Sequence, residues 1–214
     1  MLKNTPLFSD ISDDELKILQ KVAVLKTFPK NTILFSEGDP SDSFYVVNKG
    51  KVNVGINDEE GREIILSMLG PGEYFGEMAL LDGEPRCAFV MTKEKTQLFI
   101  ISKKDFQTML ISNPEIMFNL LKGLQKRLRE ANRKIESLAL MNVFGRVARL
   151  LTQLAGSKEE EIVITDKLTH QDIANMVGAS REMVSRVLKD LANKGYISIL
   201  KKRITIHKKL PYDW

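Results

Sequence analysis

Between Thr169 and Lys189 the chain sets hydrogen-bonding side chains at intervals that leave them on one side of a helix. Val184, Val187, Leu188 and Leu191 follow the i, i+3, i+4, i+7 rule of an amphipathic helix, so Arg181, Glu182, Ser185, Arg186 and Lys189 fall away from the apolar stripe. Such a row has no partner of its own. The DNA major groove supplies one: a guanidinium matches guanine O6 and N7 with two bonds, and a carboxylate accepts from cytosine N4. Each bidentate contact discriminates between bases by about 1–3 kcal/mol. A solvated charged helix is the plain alternative. A second group lies in the first half of the chain. A phosphodiester ring needs a close backbone approach, a cation and an acceptor for a ribose hydroxyl; Gly76, Arg86 and Glu77 are residues of those kinds. A structural ion pair between Glu77 and Arg86 accounts for the same two charges.

The elements that must position the first group are legible. Thr169 and Asp172 have the spacing of an N-terminal capping box, Ile173, Ala174 and Val177 give an apolar face, and Gly178 can take the positive φ of a tight turn. Ser180 caps the next helix, and Gly195 sits where a glycine ends it. The spacing predicts two short helices joined by a turn, followed by a hairpin whose strands, Tyr196 to Leu200 and Arg203 to His207, bracket Lys201-Lys202. Helix N-termini and the hydroxyls of Thr169 and Ser180 suit phosphate oxygens, as do Lys201 and Lys202 on a wing. His170 and His207, the only histidines, read as phosphate neighbours or surface residues; neither has metal-ligand spacing.

Upstream, Ser12 and Glu15 mark a capping box before Leu16, Ile18, Leu19 and Val22, predicting a short helix. Short apolar runs then follow, namely Thr32 to Phe35, Phe44 to Val47, Val52 to Ile56, Ile64 to Met68, Ala88 to Met91 and Leu98 to Ile101. They predict an all-β domain closed as a roll or a barrel. Asn113-Pro114 opens a long helix in which Met117, Leu121, Leu124, Leu128, Ala131, Ile135 and Leu138 form an a/d seam. That seam serves a partner helix or packs on the β-domain of its own chain. Phe144 to Leu154 predicts a further helix, and Ile162 to Ile164 a short strand.

Charge is divided along the chain. Residues 1–112 carry 13 Lys and Arg against 17 Asp and Glu, whereas residues 142–214 carry 13 against 8. The basic end points to an acidic partner, with nucleic acid the commonest. A single cysteine, Cys87, excludes an internal disulfide framework and a self-ligated iron–sulfur cluster. It reads as a small residue filling the β-domain or as a redox switch. No apolar run is long enough for a membrane span and no secretion signal opens the chain, so a cytoplasmic protein without a membrane partner is expected. No nucleophile–base pair or metal cluster points to an enzyme.

The run Leu168-Thr169-His170-Gln171-Asp172-Ile173-Ala174-Asn175-Met176-Val177-Gly178-Ala179-Ser180-Arg181-Glu182-Met183-Val184-Ser185-Arg186-Val187-Leu188 resembles the DNA-binding signature of the cyclic-AMP receptor/FNR family of bacterial transcription regulators. The resemblance implies that Arg181, Glu182 and Arg186 read base edges, while Glu182, Ser185 and Arg186 reproduce the E-x-x-S-R pattern of the FNR branch. It further implies a homodimer on palindromic DNA with TGA-containing half-sites, and RNA polymerase as a partner. Phe75-Gly76-Glu77-Met78-Ala79-Leu80 followed by Arg86-Cys87-Ala88 resembles the phosphate-binding cassette of cyclic-nucleotide domains. By that resemblance Gly76, Glu77, Met78, Ala79, Arg86, Cys87 and Ala88 hold a cyclic nucleotide, with cyclic AMP the leading allosteric ligand and Asn132 at the purine edge. Three positions depart from the pattern. Cys87 replaces a hydroxyl residue, Ala131 replaces a hydroxyl beside the purine, and Met183 stands where threonine is common. The implied fold is α+β: a β-roll sensor over residues 1–112, a dimerisation helix over 113–141 and a winged helix-turn-helix over 142–214. A ligand-independent regulator and a nucleotide-binding module without DNA function are the rival readings.

Overall fold

The computed structural model describes residues 2–155, 162–164, 168–200 and 203–211. They fall into two compact units, residues 1–128 and 129–214. In the first, two short 3-10 turns fold Leu2, Leu7 and Phe8 into the core. Helix α1 (Asp13–Val22) opens at the expected capping box: the Glu15 amide donates to Ser12 Oγ at 3.3 Å, and the Ser12 amide donates to the Glu15 carboxylate at 2.8 Å. Leu16 and Leu19 are buried, but Ile18 points to solvent.

The chain then runs through β1 (Val24–Phe28), β2 (Ile33–Phe35), β3 (Ser43–Lys49), β4 (Val52–Asn57), β5 (Glu63–Leu69), β6 (Tyr74–Phe75), the single-turn helix α2 (Met78–Leu81), β7 (Phe89–Thr92) and β8 (Thr96–Ser102). These strands form two antiparallel four-stranded sheets, β1-β8-β3-β6 and β2-β7-β4-β5, and so a two-sheet roll rather than one continuous barrel. All six expected runs are strands; β1 and β6 are additional. Val47, Val52, Leu69, Phe75, Val90 and Leu98 form a core drawn from both sheets. Phe44, Val46, Tyr74 and Ile101 form another with residues of helices α3 (Lys103–Ser112) and α4 (Pro114–Leu140), where Phe44 stacks on Phe106 at 4.4 Å between centroids.

Helix α4 starts with proline, which needs no amide donor there. Its apolar residues divide between two faces. Ile116 and Leu120 are buried in the core with the strands, and Leu124 packs partly against them. The rest of the expected seam faces solvent in the single chain: Met117, Leu121, Leu128, Ile135 and Leu138 are each more than two-fifths exposed. The packed stripe is offset by one residue from the seam.

The second unit contains α5 (Val143–Ala155), β9 (Ile162–Ile164), α6 (His170–Val177), α7 (Arg181–Asn193), β10 (Ile197–Leu200) and β11 (Arg203–Ile206). Its strands pair in the order β10-β11-β9. The core joins Val147 and Leu151 of α5, Ile173 and Val177 of α6, Val184, Leu188 and Leu191 of α7, and Ile197 and Ile204 of the sheet. Asn142 caps α5 by accepting from the Gly145 amide at 2.9 Å.

Candidate functional site

The first candidate site grows from the sharp bend after β6. Gly76 has φ of +84°, a region that side chains rarely adopt, and a Cβ built there would stand 2.7 Å from Arg86 Nη1. Glycine therefore lets the backbone close on the guanidinium. Arg86 donates from Nη1 to the Gly76 carbonyl at 2.9 Å and from Nη2 to the Ser43 carbonyl at 2.7 Å. Its guanidinium carbon lies 4.2 Å from the centroid of Phe35. The side chain is only 4% exposed, and burial lowers its pKa. Arg86 Nε is buried without a hydrogen-bond partner.

Glu77, 1% exposed, does not hydrogen-bond Arg86. One carboxylate oxygen accepts from Arg127 Nη1 of α4 at 2.5 Å, and the other, Oε2, is buried without a partner. The structural ion pair that sequence suggested is thus made with a different arginine. Arg127 also donates to the Tyr74 carbonyl and lies 4.8 Å from the centroid of that ring. Tyr74 passes over Gly123, where a Cβ would collide with its phenol oxygen. Sequence reading missed Arg127. The signal for it was weak, a cation one helical turn beyond a glycine on the inner side of α4.

Around these groups Ala79 and Ala88 are buried, whereas Met78 and Cys87 are exposed with their sulfurs 3.9 Å apart. Partial burial pushes the Cys87 thiol above its ordinary pKa. The cassette residues therefore gather around an arginine without a carboxylate bond and a carboxylate with one open oxygen. Asn132 lies exposed on the α4 segment of the second unit, its side chain without a hydrogen bond to a described residue.

The second candidate site is the paired helices. Thr169 and Asp172 form the expected capping box, with Asp172 N–H to Thr169 Oγ1 at 3.1 Å and Thr169 N–H to the Asp172 carboxylate at 2.8 Å. Gly178 ends α6 with φ of +64°, and Ser180 Oγ accepts from the Met183 amide at 3.2 Å to start α7. Arg146 holds this turn, donating to the carbonyls of Met141 and Gly178. Arg181, Glu182, Arg186 and Lys189 are exposed, and their side chains make no hydrogen bond or ion pair among the described residues. Ser185 is half-buried, with its hydroxyl 2.7 Å from His170 Nδ1. Gln171 is bonded to Asn175. His207 Nε2 meets Ser198 Oγ at 2.9 Å across the hairpin; Lys201 and Lys202 lie outside the described residues.

Known proteins share both halves. Residues 25–113 match the cyclic nucleotide-binding domain family and residues 145–209 the Crp-like helix-turn-helix domain family. The CRP-like cAMP-activated global transcriptional regulator of Mycobacterium tuberculosis is 33% identical over 210 residues, covering 96% of this chain and 94% of the relative. The cAMP-activated global transcriptional regulator CRP of Haemophilus influenzae is 37% identical over 188 residues, covering 86% and 84% respectively. The chain belongs to the CRP/FNR family of transcription regulators. Among solved structures, the c-di-GMP-responsive global regulator CLP of Xanthomonas campestris superposes with a TM-score of 0.81 at 27% identity, covering 92% of this chain and 100% of that one.

Family membership makes the chain a DNA-binding regulator with a cyclic nucleotide-binding domain, in a family of regulators rather than enzymes. Among the described residues no group of histidine, cysteine and carboxylate side chains is arranged to hold a metal ion, and no helix is long and apolar enough to cross a membrane.

Proposed function

We propose that the protein is a homodimeric regulator whose DNA binding is controlled by cyclic AMP held at Gly76, Glu77, Met78, Ala79, Arg86, Cys87 and Ala88. The carrying observation is the pair of open buried valences, Arg86 Nε and Glu77 Oε2. Leaving buried polar groups unpaired costs about 1–3 kcal/mol each, so a fold that keeps two in one cassette suits a ligand that completes them. Arg86 supplies the charge for a phosphodiester, and Glu77 accepts from a ribose hydroxyl. The resemblance assigns Asn132 to the purine edge as a separate claim, tested by Asn132→Ala. Residues 1–112 serve as sensor, 113–141 as the dimerising helix and 142–214 as the DNA-binding part.

The exposed apolar stripe of α4 supports dimerisation through a second copy. Two paired-helix domains then meet half-sites about one helical turn apart, which calls for a palindrome with TGA in each half. Arg181, Glu182, Ser185, Arg186 and Lys189 face bases or adjoining phosphates, while Thr169, His170, Gln171, Ser180, Lys201 and Lys202 face the backbone. Bound DNA places the dimer beside RNA polymerase in the cytoplasm.

Cys87 favours a second reading. A thiol is a weak donor where a hydroxyl would serve phosphate better, and a structural relative at 27% identity answers to c-di-GMP. Calorimetric titration with each nucleotide separates the readings. Cyclic AMP should release heat and raise operator affinity, and Cys87→Ser should bind it about two- to tenfold more tightly through the added hydroxyl bond. Silence with cyclic AMP at millimolar concentration, together with heat from a cyclic dinucleotide, would transfer the site to the second reading.

A further inference from the structure

His170 and Ser185 meet between α6 and α7 with His170 Nδ1 and Ser185 Oγ 2.7 Å apart, both side chains half-buried. The contact differs from the rest of the exposed face, since Arg181, Glu182 and Arg186 carry no bond of their own among the described residues. A serine hydroxyl has one proton and can turn it in several directions, which makes it a poor reader of bases. A histidine nitrogen at 2.7 Å removes that freedom. If the hydroxyl donates to Nδ1, its oxygen faces outward only as an acceptor, matched by adenine N6 or cytosine N4. If Nδ1–H donates, the hydroxyl proton is free for thymine O4 or guanine O6. The first arrangement restricts Ser185 to accepting, and the second holds its oxygen in one rotamer with the proton turned away from His170.

We propose that His170 is a positioning residue for base reading, fixing the rotamer and hydrogen-bond polarity of Ser185 and so the base preferred at one position of each half-site. The inference rests on the DNA-reading function proposed for α7. It adds to the backbone contact proposed for His170 a second role, and the two roles use different ring nitrogens, Nδ1 for Ser185 and Nε2 for phosphate.

The test compares full-length wild type, His170→Ala, His170→Asn, His170→Gln, Ser185→Ala and the double variant His170→Ala with Ser185→Ala on a set of duplexes carrying every base pair at each half-site position. An asparagine amide reaches the place of Nδ1, whereas a glutamine amide reaches that of Nε2. His170→Ala should lower the preference at a single position by about two- to tenfold, the share of one hydrogen bond. Ser185→Ala should lose preference at the same position, and the double variant should lose no more than either single one. His170→Asn should retain preference and His170→Gln should not. Affinity for non-specific DNA reports any separate backbone contact of His170, so the preference at each position is read relative to it for every variant. The proposal is overturned if His170→Ala weakens all duplexes equally, if glutamine rescues and asparagine does not, or if the affected position differs from that of Ser185→Ala. Should wild type prefer no sequence at all, the DNA-reading function falls and this inference falls with it; Arg186→Ala, measured alongside, identifies that outcome.

Discussion

Arg86 and Arg186 are the same residue used in opposite ways. Arg86 is 4% exposed, bonded to two carbonyls and set against an aromatic ring; Arg186 is exposed and bonded to nothing among the described residues. The charge proposed to hold the ligand is built into the fold, so its loss is expected to disturb folding and binding together. The charge proposed to face DNA stands on the exposed side of α7, outside the packing that holds the helix. The cassette ties specificity to stability, and the α7 face separates them.

That contrast is sharpest in alanine variants. Arg86→Ala should strand the Gly76 and Ser43 carbonyls and destabilise the first unit by about 2–4 kcal/mol, read by chemical unfolding. Arg186→Ala should change stability by less than about 0.5 kcal/mol. Equal losses in the two variants would erase the distinction. Gly76→Ala should cost about 1–3 kcal/mol, because its φ of +84° and the nearby guanidinium both oppose a side chain. Stability unchanged by this variant would mean the bend is not fixed by glycine. Tyr74→Phe should be neutral or stabilising by up to about 1 kcal/mol, since the phenol hydroxyl is buried without a partner. A loss larger than that would reveal a bond the hydroxyl makes in solution.

The smallest expected effect concerns pH. Burial raises the folded pKa of Cys87, and the thiolate is the reactive form. Alkylation should therefore be slower at neutral pH than for a free thiol and should reach half its limiting rate above about pH 8.5, the midpoint of an ordinary thiol. A midpoint at or below that pH would place the thiol in a different environment. Protection by cyclic AMP would further tie the residue to the ligand cassette.

The two regions also differ in how much of them sequence discloses. The paired helices are specified by neighbours in the chain: the Thr169 cap, the Gly178 turn, the Ser180 cap and the apolar stripe all act within a few residues. The cassette depends on distant partners. Glu77 is held by Arg127, fifty positions away, and no local period singles out that cation among the many on α4. Strand β1 escaped notice because four of its five residues are exposed, which removes the alternation that marks a strand; β6 has only two residues. On α4 the conspicuous seam was legible, while Ile116 and Leu120 make a quieter stripe one residue away. The His170–Ser185 bond joins two helices, so it too needed the fold before it could be seen.

The central claim is that α7 reads bases through groups the fold leaves unpaired. Selection from random duplex DNA with wild type and Arg186→Ala tests it directly. Wild type should enrich an inverted repeat with a guanine in each half, and Arg186→Ala should lose the preference for that guanine while keeping its fold and its non-specific affinity. Identical enrichment by both proteins, or none by wild type with or without cyclic nucleotide, would contradict the account.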